Sequence, residues 1–408
     1  KFCMPGTLDN WSIVCLNERT RPQELEAFAT MMTQQGRPLG MSISKPLIVP
    51  VRLMRGKEKQ IIEQEFQKLK SSKLILVVIP DIKDIYNYVK QAAELRVGVI
   101  TQCVKSKNLF RPKPSTVGNI LLKVNAKLNG LNHVLASTPA CFKVPCMVMG
   151  ADVTHPSPES RGSVPSVAAV TASHDRYAFK YNITCRLQKS TQEIITDLAE
   201  IVREHLTYFQ QQNNRKPDRI IFFRDGVSEG QFEIVVNSEV QAVRRACQMI
   251  DPTGTYRPKL TFLVVQKRHH TRFFPTNTRD SEDRNNNVPA GTVVDTEITH
   301  PTALDFYLVS HASIQGVARP TKYRKLWDEN DMQEDELEEL TYHLCHMFAR
   351  CTRSVSYPAP TYYAHLAAAR AKVYCERQNI NMNNLEREQQ TLLNIKPEVV
   401  KGTPMYFV

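Results

Sequence analysis

Pro145-Cys146-Met147-Val148-Met149-Gly150-Ala151-Asp152-Val153-Thr154-His155-Pro156 is the stretch whose reading decides the fold. Met147, Val148 and Met149 form a short apolar run bounded by Pro145 and Pro156, the pattern of a core strand. The run closes on Asp152, and a carboxylate at the end of a buried strand must be paired, hydrogen-bonded or bound to a metal. Arg219-Ile220-Ile221-Phe222-Phe223-Arg224-Asp225-Gly226 repeats the arrangement. If the two strands are neighbours, Asp152 and Asp225 meet at one edge of a sheet. Carboxylates held that close need a cation between them. Hard oxygen ligands from separate elements, with room for substrate phosphate, describe a two-metal phosphodiester site.

Two more residues are candidates for that edge. Glu193 stands at the start of an expected helix, Thr191–Gln211. His365 lies in Thr361-Tyr362-Tyr363-Ala364-His365-Leu366, where an alanine-rich helix follows Pro358 and Pro360. A neutral imidazole there could complete a metal's coordination. Spacing alone leaves the bland readings open: Glu193 as an acid favoured by the helix dipole, His365 as a packed core residue. A competing motif is Gly226-Val227-Ser228-Glu229-Gly230, which matches G-x-S-x-G between a strand and a helix. With Asp295 and His365, Ser228 keeps the chain order of a serine hydrolase.

The chain of 408 residues is long enough for two or three domains with sizeable cores. Its 42% hydrophobic and 23% charged content are those of a soluble globular protein. No apolar run reaches the length of a membrane span, the longest being Leu74 to Pro80. Ten cysteines without a CxxC pair point to reduced thiols and a cytoplasmic or nuclear home. The chain opens on Lys1 with neither an initiator Met nor a signal peptide, and reads as a piece of a longer protein. The net charge of +12 is unevenly placed. Residues 1–130 carry 21 Lys and Arg against 10 Asp and Glu, and the remainder 32 against 31. The basic third is the anion-binding candidate, with nucleic acid as the first expectation.

That third alternates strand and helix. Strands are expected at Trp11–Leu16, Leu47–Val51, Leu74–Ile79 and Val97–Val104, with helices at Arg21–Gln35, Glu58–Leu69, Asp84–Leu95 and Ser115–Leu128. Such β-α units imply a parallel sheet with a crevice at the carboxyl ends of its strands. Tyr86 and Lys90, four apart, share one helix face, and so do Lys123 and Lys127. Gln102 ends a strand nearby. An anion between the lysines would turn their repulsion into binding; singly, each is equally a solvated surface lysine. Residues 131–145 are the passage to a second domain, 146–408. There strands at Met147–Asp152, Val167–Ser173, Tyr177–Arg186, Ile220–Asp225 and Leu260–Lys267, with helices Thr191–Gln211 and Gly230–Met249, predict a mixed sheet. The acidic run Asp328–Glu339 is expected to be a solvated loop and helix start without chemistry. Gln266-Lys267-Arg268-His269-His270-Thr271-Arg272, after a strand, suits contacts to a nucleic-acid backbone.

These motifs together resemble the Argonaute family. Gly150–Pro156, Arg224–Gln231, Gln266–Arg272, Val294–Pro301, His311–Gly316, Arg350–Ser356 and Pro358-Ala359-Pro360 are similar to its PIWI domain, in order. Tyr86, Lys90, Thr101-Gln102-Cys103 and the Lys123/Lys127 pair resemble its MID domain. The resemblance implies an α/β chain: a Rossmann-like MID domain with a parallel sheet over 1–130, then a ribonuclease H-like PIWI domain over 146–408. It implies RNA silencing, in which a 5′-phosphorylated small guide RNA is held and a complementary target RNA is cut. Asp152, Glu193, Asp225 and His365 match the family's catalytic tetrad. Asp152, Asp225 and His365 would hold Mg2+ or Mn2+, and Glu193 would be the mobile acid. Tyr86 would stack on the first guide base, while Lys90, Gln102, Lys123, Lys127, Arg370 and the Val408 carboxylate would serve the 5′ phosphate. Arg268, His270, Arg272, Arg319, Arg350 and Tyr362 match backbone-contacting positions, and Pro80–Ile85 the loop that reads the first base. Silencing partner proteins are also implied, and so is a repressor that binds a guide without cutting. The family's N-terminal and PAZ domains have no counterpart in the sequence, so weak cutting by this stretch alone is expected. In this light Ser228 is a packing or turn residue.

Overall fold

The computed structural model describes residues 1–408. It forms two compact units, Lys1–Val134 with Ala369–Val408, and Leu135–Ala368. The last forty residues thus group with the basic third rather than with the segment that precedes them. No helix is long and apolar enough to cross a membrane.

The first unit is built on a four-stranded sheet, in the order Leu47–Pro50, Trp11–Cys15, Leu74–Ile79 and Thr101–Lys105. Every neighbouring pair is parallel. Leu74–Ile79 is buried along its whole length, which is why it reads as unbroken apolar sequence rather than as an alternation. Helices Pro22–Leu39, Glu58–Lys68 and Pro114–Lys127 lie close to expectation. The fourth strand does not. Helix Ile85–Lys90 runs on into a π-helical segment, Gln91–Val97, which Gly98 ends at φ +85° by donating its N–H to the Ala93 carbonyl. The strand therefore starts at Thr101 instead of Val97, and Gln102 lies near its beginning rather than at a strand end.

The second unit holds an eight-stranded mixed sheet. Its order is Thr292–Val294, Asp305–Val309, Thr321–Asp328, Lys259–Gln266, Arg219–Asp225, Cys146–Thr154, Ser166–Ser173 and Tyr181–Gln188. Only the centre is parallel, where Arg219–Asp225 pairs with Cys146–Thr154 on one side and Lys259–Gln266 on the other. Side chains alternate between faces. Met147, Met149, Ala151, Ile220 and Phe222 pack beneath helices Leu198–Asn213 and Gln241–Ile250. Cys146, Val148, Ile221 and Phe223 face the layer that contains Leu337, Leu340 and Leu344 of helix Glu334–Cys345. Thr292–Val294, Asp305–Val309 and Thr321–Asp328 carry no expectation from the sequence.

Two expected helices are corrected. Thr191–Gln211 becomes helical only at Leu198. Thr191 is left-handed at φ +71°, and the following backbone turns into the core, where Ile195 donates its N–H to Glu239 Oε1. Gly230–Met249 is composite: a 3₁₀ turn Glu229–Gln231, α-helix Phe232–Val235, a π-helical turn Val236–Val240, then α-helix Gln241–Ile250. The π turn includes the fully buried Glu239. Nor is Asp328–Glu339 wholly solvated, since Met332, Leu337 and Glu338 are buried.

Gly150 sits in the middle of Cys146–Thr154 against the start of helix Ala359–Cys375. A Cβ there would lie 2.2 Å from the Pro360 carbonyl carbon and 2.6 Å from the Thr361 nitrogen. Both are backbone atoms and cannot step aside. Gly150→Ala is expected to cost about 3 kcal/mol or more, seen as a lowered urea midpoint. Gly118→Ala, in open space on helix Pro114–Lys127, should instead be neutral or slightly stabilising.

Candidate active site and anion pocket

Parallel pairing sets Phe223 beside Gly150 and Arg224 beside Ala151, so Asp225 and Asp152 are the next residues along each strand. Alternation turns both carboxylates to the face on which Gly150 meets Pro360. Thr171 donates from Oγ1 to the Pro360 carbonyl at 2.8 Å and fixes the start of the helix. A turn and a half further on, His365 Nε2 reaches Asp225 Oδ2 at 2.7 Å and stands 3.6 Å from Asp152 Oδ2. One ligand atom from each of Asp152, Asp225 and His365 lies within 4.8 Å of the others. Gly226, at φ +92°, donates its N–H to Asp225 Oδ1 at 2.7 Å. Burial raises the pKa of Asp152, with the Asp225 charge adding to it against the opposing pull of His365. For His365 burial acts downward, but the Asp225 hydrogen bond and the two carboxylate charges prevail and raise its pKa. Two carboxylates and an imidazole, partly open to solvent, are a donor set that fits a hard divalent cation.

Glu193 is not the first residue of a helix; it lies in the coil before Leu198, beside this edge. A Cβ on Gly226 would be 3.1 Å from Glu193 Oε1 and 3.4 Å from Asp152 Oδ1. Arg224 Nη1 donates to Glu193 Oε1 at 2.9 Å, and His155 Nε2 donates to Glu193 Oε2 at 2.8 Å. Ser166 Oγ meets His155 Nδ1 at 2.7 Å and also accepts the Thr191 N–H. Arg224 is fully buried and bonds Glu239 at 2.9 Å, so its guanidinium joins the acid of the π turn to Glu193. Burial works against the charge on Arg224, but the paired carboxylates outweigh it and raise its pKa. His155, Arg224 and Glu239 are the residues that sequence reasoning missed. The visible signal was an arginine inside an otherwise apolar strand.

The serine-hydrolase set is not assembled. The Ser228 hydroxyl donates to Gln231 Oε1 and caps the 3₁₀ turn. The Asp295 carboxylate keeps company with Glu334 and Glu338, and His365 is committed to Asp225.

In the first unit, Lys90 and Lys127 converge at the outer edge of the last strand. Lys90 donates to the Thr101 carbonyl at 3.0 Å and to its hydroxyl at 2.8 Å; Lys127 donates to the same carbonyl and to Gln102 Oε1, both at 3.0 Å. The site is therefore near the amino end of Thr101–Lys105, not the carboxyl end expected for the crevice. An edge strand leaves carbonyls free to accept from ammonium groups. Arg370 donates to Glu94 at 2.6 Å and to the carbonyls of Tyr406 and Phe407, and so lies next to Val408. Lys90, Lys127 and Arg370 are all buried, and Lys90 and Arg370 lie against the buried Glu94 carboxylate. Burial, together with Lys90 and Arg370, pushes the pKa of Lys127 well down. Such an excess of buried positive charge calls for an anion. Tyr86 is more than a third exposed, and its ring centroid is 5.9 Å from Lys90 Nζ. Lys123 stands one turn before Lys127 and is partly exposed.

Of the backbone-contacting candidates, Arg268, His270 and Arg319 are exposed and Arg350 is half-buried. Arg272 is half-buried and donates to carbonyls of its own loop. Tyr362 packs on Phe348 at 4.3 Å between ring centroids. Lys267 sits 4.6 Å from the Tyr357 ring centroid, and burial brings its pKa down to about 8.

The model of the Piwi domain matches residues 74–376. Protein argonaute-2 of Drosophila melanogaster is 43% identical over 389 residues, 94% of this chain but 31% of that protein. The chain thus spans about a third of that relative's length. The C-terminal lobe of a budding yeast Argonaute superposes with a TM-score of 0.88 at 28% identity, covering 100% of this chain and 87% of that one. Kluyveromyces polysporus Argonaute, solved with a guide RNA, gives 0.86 at 27% identity, covering 100% and 51%.

Arg224→Ala leaves Glu239 as a buried charge without its counter-charge and removes a donor from Glu193. The expected loss is about 3–5 kcal/mol in urea unfolding.

Proposed function

Since this chain belongs to the Piwi-domain family of Argonaute proteins, we propose that it holds the 5′-phosphorylated end of a small guide RNA and cleaves the RNA paired to that guide. The observation that carries the reading is the convergence of Asp152, Asp225 and His365, with Glu193 held beside them by Arg224 and His155.

In this reading Asp152, Asp225 and His365 hold magnesium or manganese. When bound, the metal would activate water and offset the charge that develops on the scissile phosphate. The protein's own groups prepare that centre. Gly226 occupies Asp225 Oδ1, leaving Oδ2 as the oxygen that faces His365. His365 must be neutral to act as a ligand. Arg224 orients Glu193 through bonds that also reach Glu239, so the acid is positioned by the core rather than by the RNA. Water adds to phosphorus as the bond to the leaving 3′ oxygen breaks, giving 3′-hydroxyl and 5′-phosphate ends.

The anion pocket takes the guide. Lys90 and Lys127, with Arg370 behind them, supply the positive charge for a terminal phosphate; Gln102 and Lys123 add donors, and Tyr86 offers a ring to the first base. Arg268, His270, Arg272, Arg319, Arg350 and Tyr362 are assigned to RNA backbone.

In a guide-loaded assay with the full-length protein, Asp225→Ala or removal of divalent metal should abolish target cutting while guide binding persists. Cutting that survives Asp225→Ala would refute the site. Lys127→Ala should weaken binding of a 5′-phosphorylated RNA by about 1.5–3 kcal/mol, roughly ten- to a hundredfold, with a much smaller loss for the 5′-hydroxyl form. Equal losses for both would reduce Lys127 to a general basic contact.

A further inference from the structure

The acidic run assigned no chemistry from the sequence contributes two residues to a second cluster. Glu334 and Glu338 lie one turn apart on helix Glu334–Cys345, and Asp295 directly follows the edge strand Thr292–Val294. One carboxylate oxygen from each of the three lies within 4.8 Å of the others. Glu338 is only 8% exposed, and its Oε1 is buried without a hydrogen-bond partner. None of the three carboxylates has a lysine, arginine or histidine within ion-pair distance. The neighbouring Lys325 is spent on Asp328, at 2.9 Å, and on the Met332 carbonyl. The helix dipole favours Glu334 in the first turn but fades before Glu338.

A buried side chain that has an oxygen without a partner and brings its carboxylate to two others is an arrangement that needs a positive group to complete it. We propose that Asp295, Glu334 and Glu338 form a second cation site, which takes a hard divalent ion and clamps the segment after Thr292–Val294 to helix Glu334–Cys345. The donors are all oxygen, which selects calcium, magnesium or manganese over softer metals. Asp295 and Glu334 are half-buried, leaving room for water to fill the remaining coordination positions. Burial, then the charges of Asp295, Glu334 and Asp335, push the pKa of Glu338 up to about 7. Burial and Asp295 raise Glu334 as well.

The test must keep the two centres apart. Full-length protein carrying Asp152→Asn and Asp225→Asn, stripped with a chelator, is titrated calorimetrically with CaCl2, MgCl2 and MnCl2, and its melting is followed with each salt. At least one ion should bind with unit stoichiometry and raise Tm. Adding Glu338→Gln should abolish both responses. In chelator the same substitution should melt no lower than its parent, because it removes one of three crowded charges; loss of binding is then not loss of folding. Asp295→Asn should behave alike. The proposal is overturned if no ion binds at millimolar concentration, in which case the cluster settles its charge with a proton. It is equally overturned if Glu338→Gln keeps the response or melts lower in chelator.

Discussion

A single guanidinium organises the second unit. Arg224 sits inside a strand between apolar residues, is wholly buried, and is held by Glu239 on one side and Glu193 on the other. A charge there is tolerated only because both partners are present. The requirement reaches far along the chain. It draws Glu239 in at a π-helical turn and draws the backbone of Thr191–Asp197 out of helix and into the core. It also leaves Asp225, the next residue, on the opposite face. The strand's alternation thus divides the work: Arg224 anchors the acid that flanks the site, and Asp225 lies within it.

On that opposite face the constraint is closeness. The helix carrying His365 can approach because Gly150 has no side chain, and the imidazole then lands on two carboxylates whose strands run side by side. Their direct ion pairs are with one another, His365 with both carboxylates, and none is with a lysine or arginine. The first unit solves the mirror problem. Lys90 and Lys127 are buried and share an edge-strand carbonyl, and Lys90 and Arg370 both lie against the Glu94 carboxylate. One site has surplus negative charge at a sheet end, the other surplus positive charge at a sheet edge. Each is suited to a ligand of the opposite sign.

The acidic cluster of Asp295, Glu334 and Glu338 stands apart from both. Its residues lie on an edge-strand loop and on a helix far apart in sequence. Its charge is unanswered by any side chain, and its place beside the outermost strand gives a bound ion a structural rather than a chemical part.

Much of the fold and of the candidate site is legible in the sequence itself. Cys146–Thr154 and Arg219–Asp225 announced themselves as buried strands because a strand covered on both faces has no polar positions to interrupt it. Their terminal aspartates stood out because a charge at such a place needs a reason. The lysine pair of Pro114–Lys127 was visible from helical spacing. Less legible were features that depend on a distant partner. The Thr191–Asp197 segment has the composition of a helix start, and bonds to distant partners, Arg224 to Glu193 and Glu239 to the Ile195 N–H among them, hold it in another path. The three late strands, short and at the sheet's edge, carry weak local signals. Glu94 and Glu338 look like ordinary helix-surface acids, because nothing in their neighbours reports burial. Local pattern and spacing are written in the sequence and determined which groups are candidates. Which candidates meet, and which charges are left without an answer, was decided only by the tertiary structure, because those distances are set by strand pairing and close backbone approach between segments that local sequence does not join.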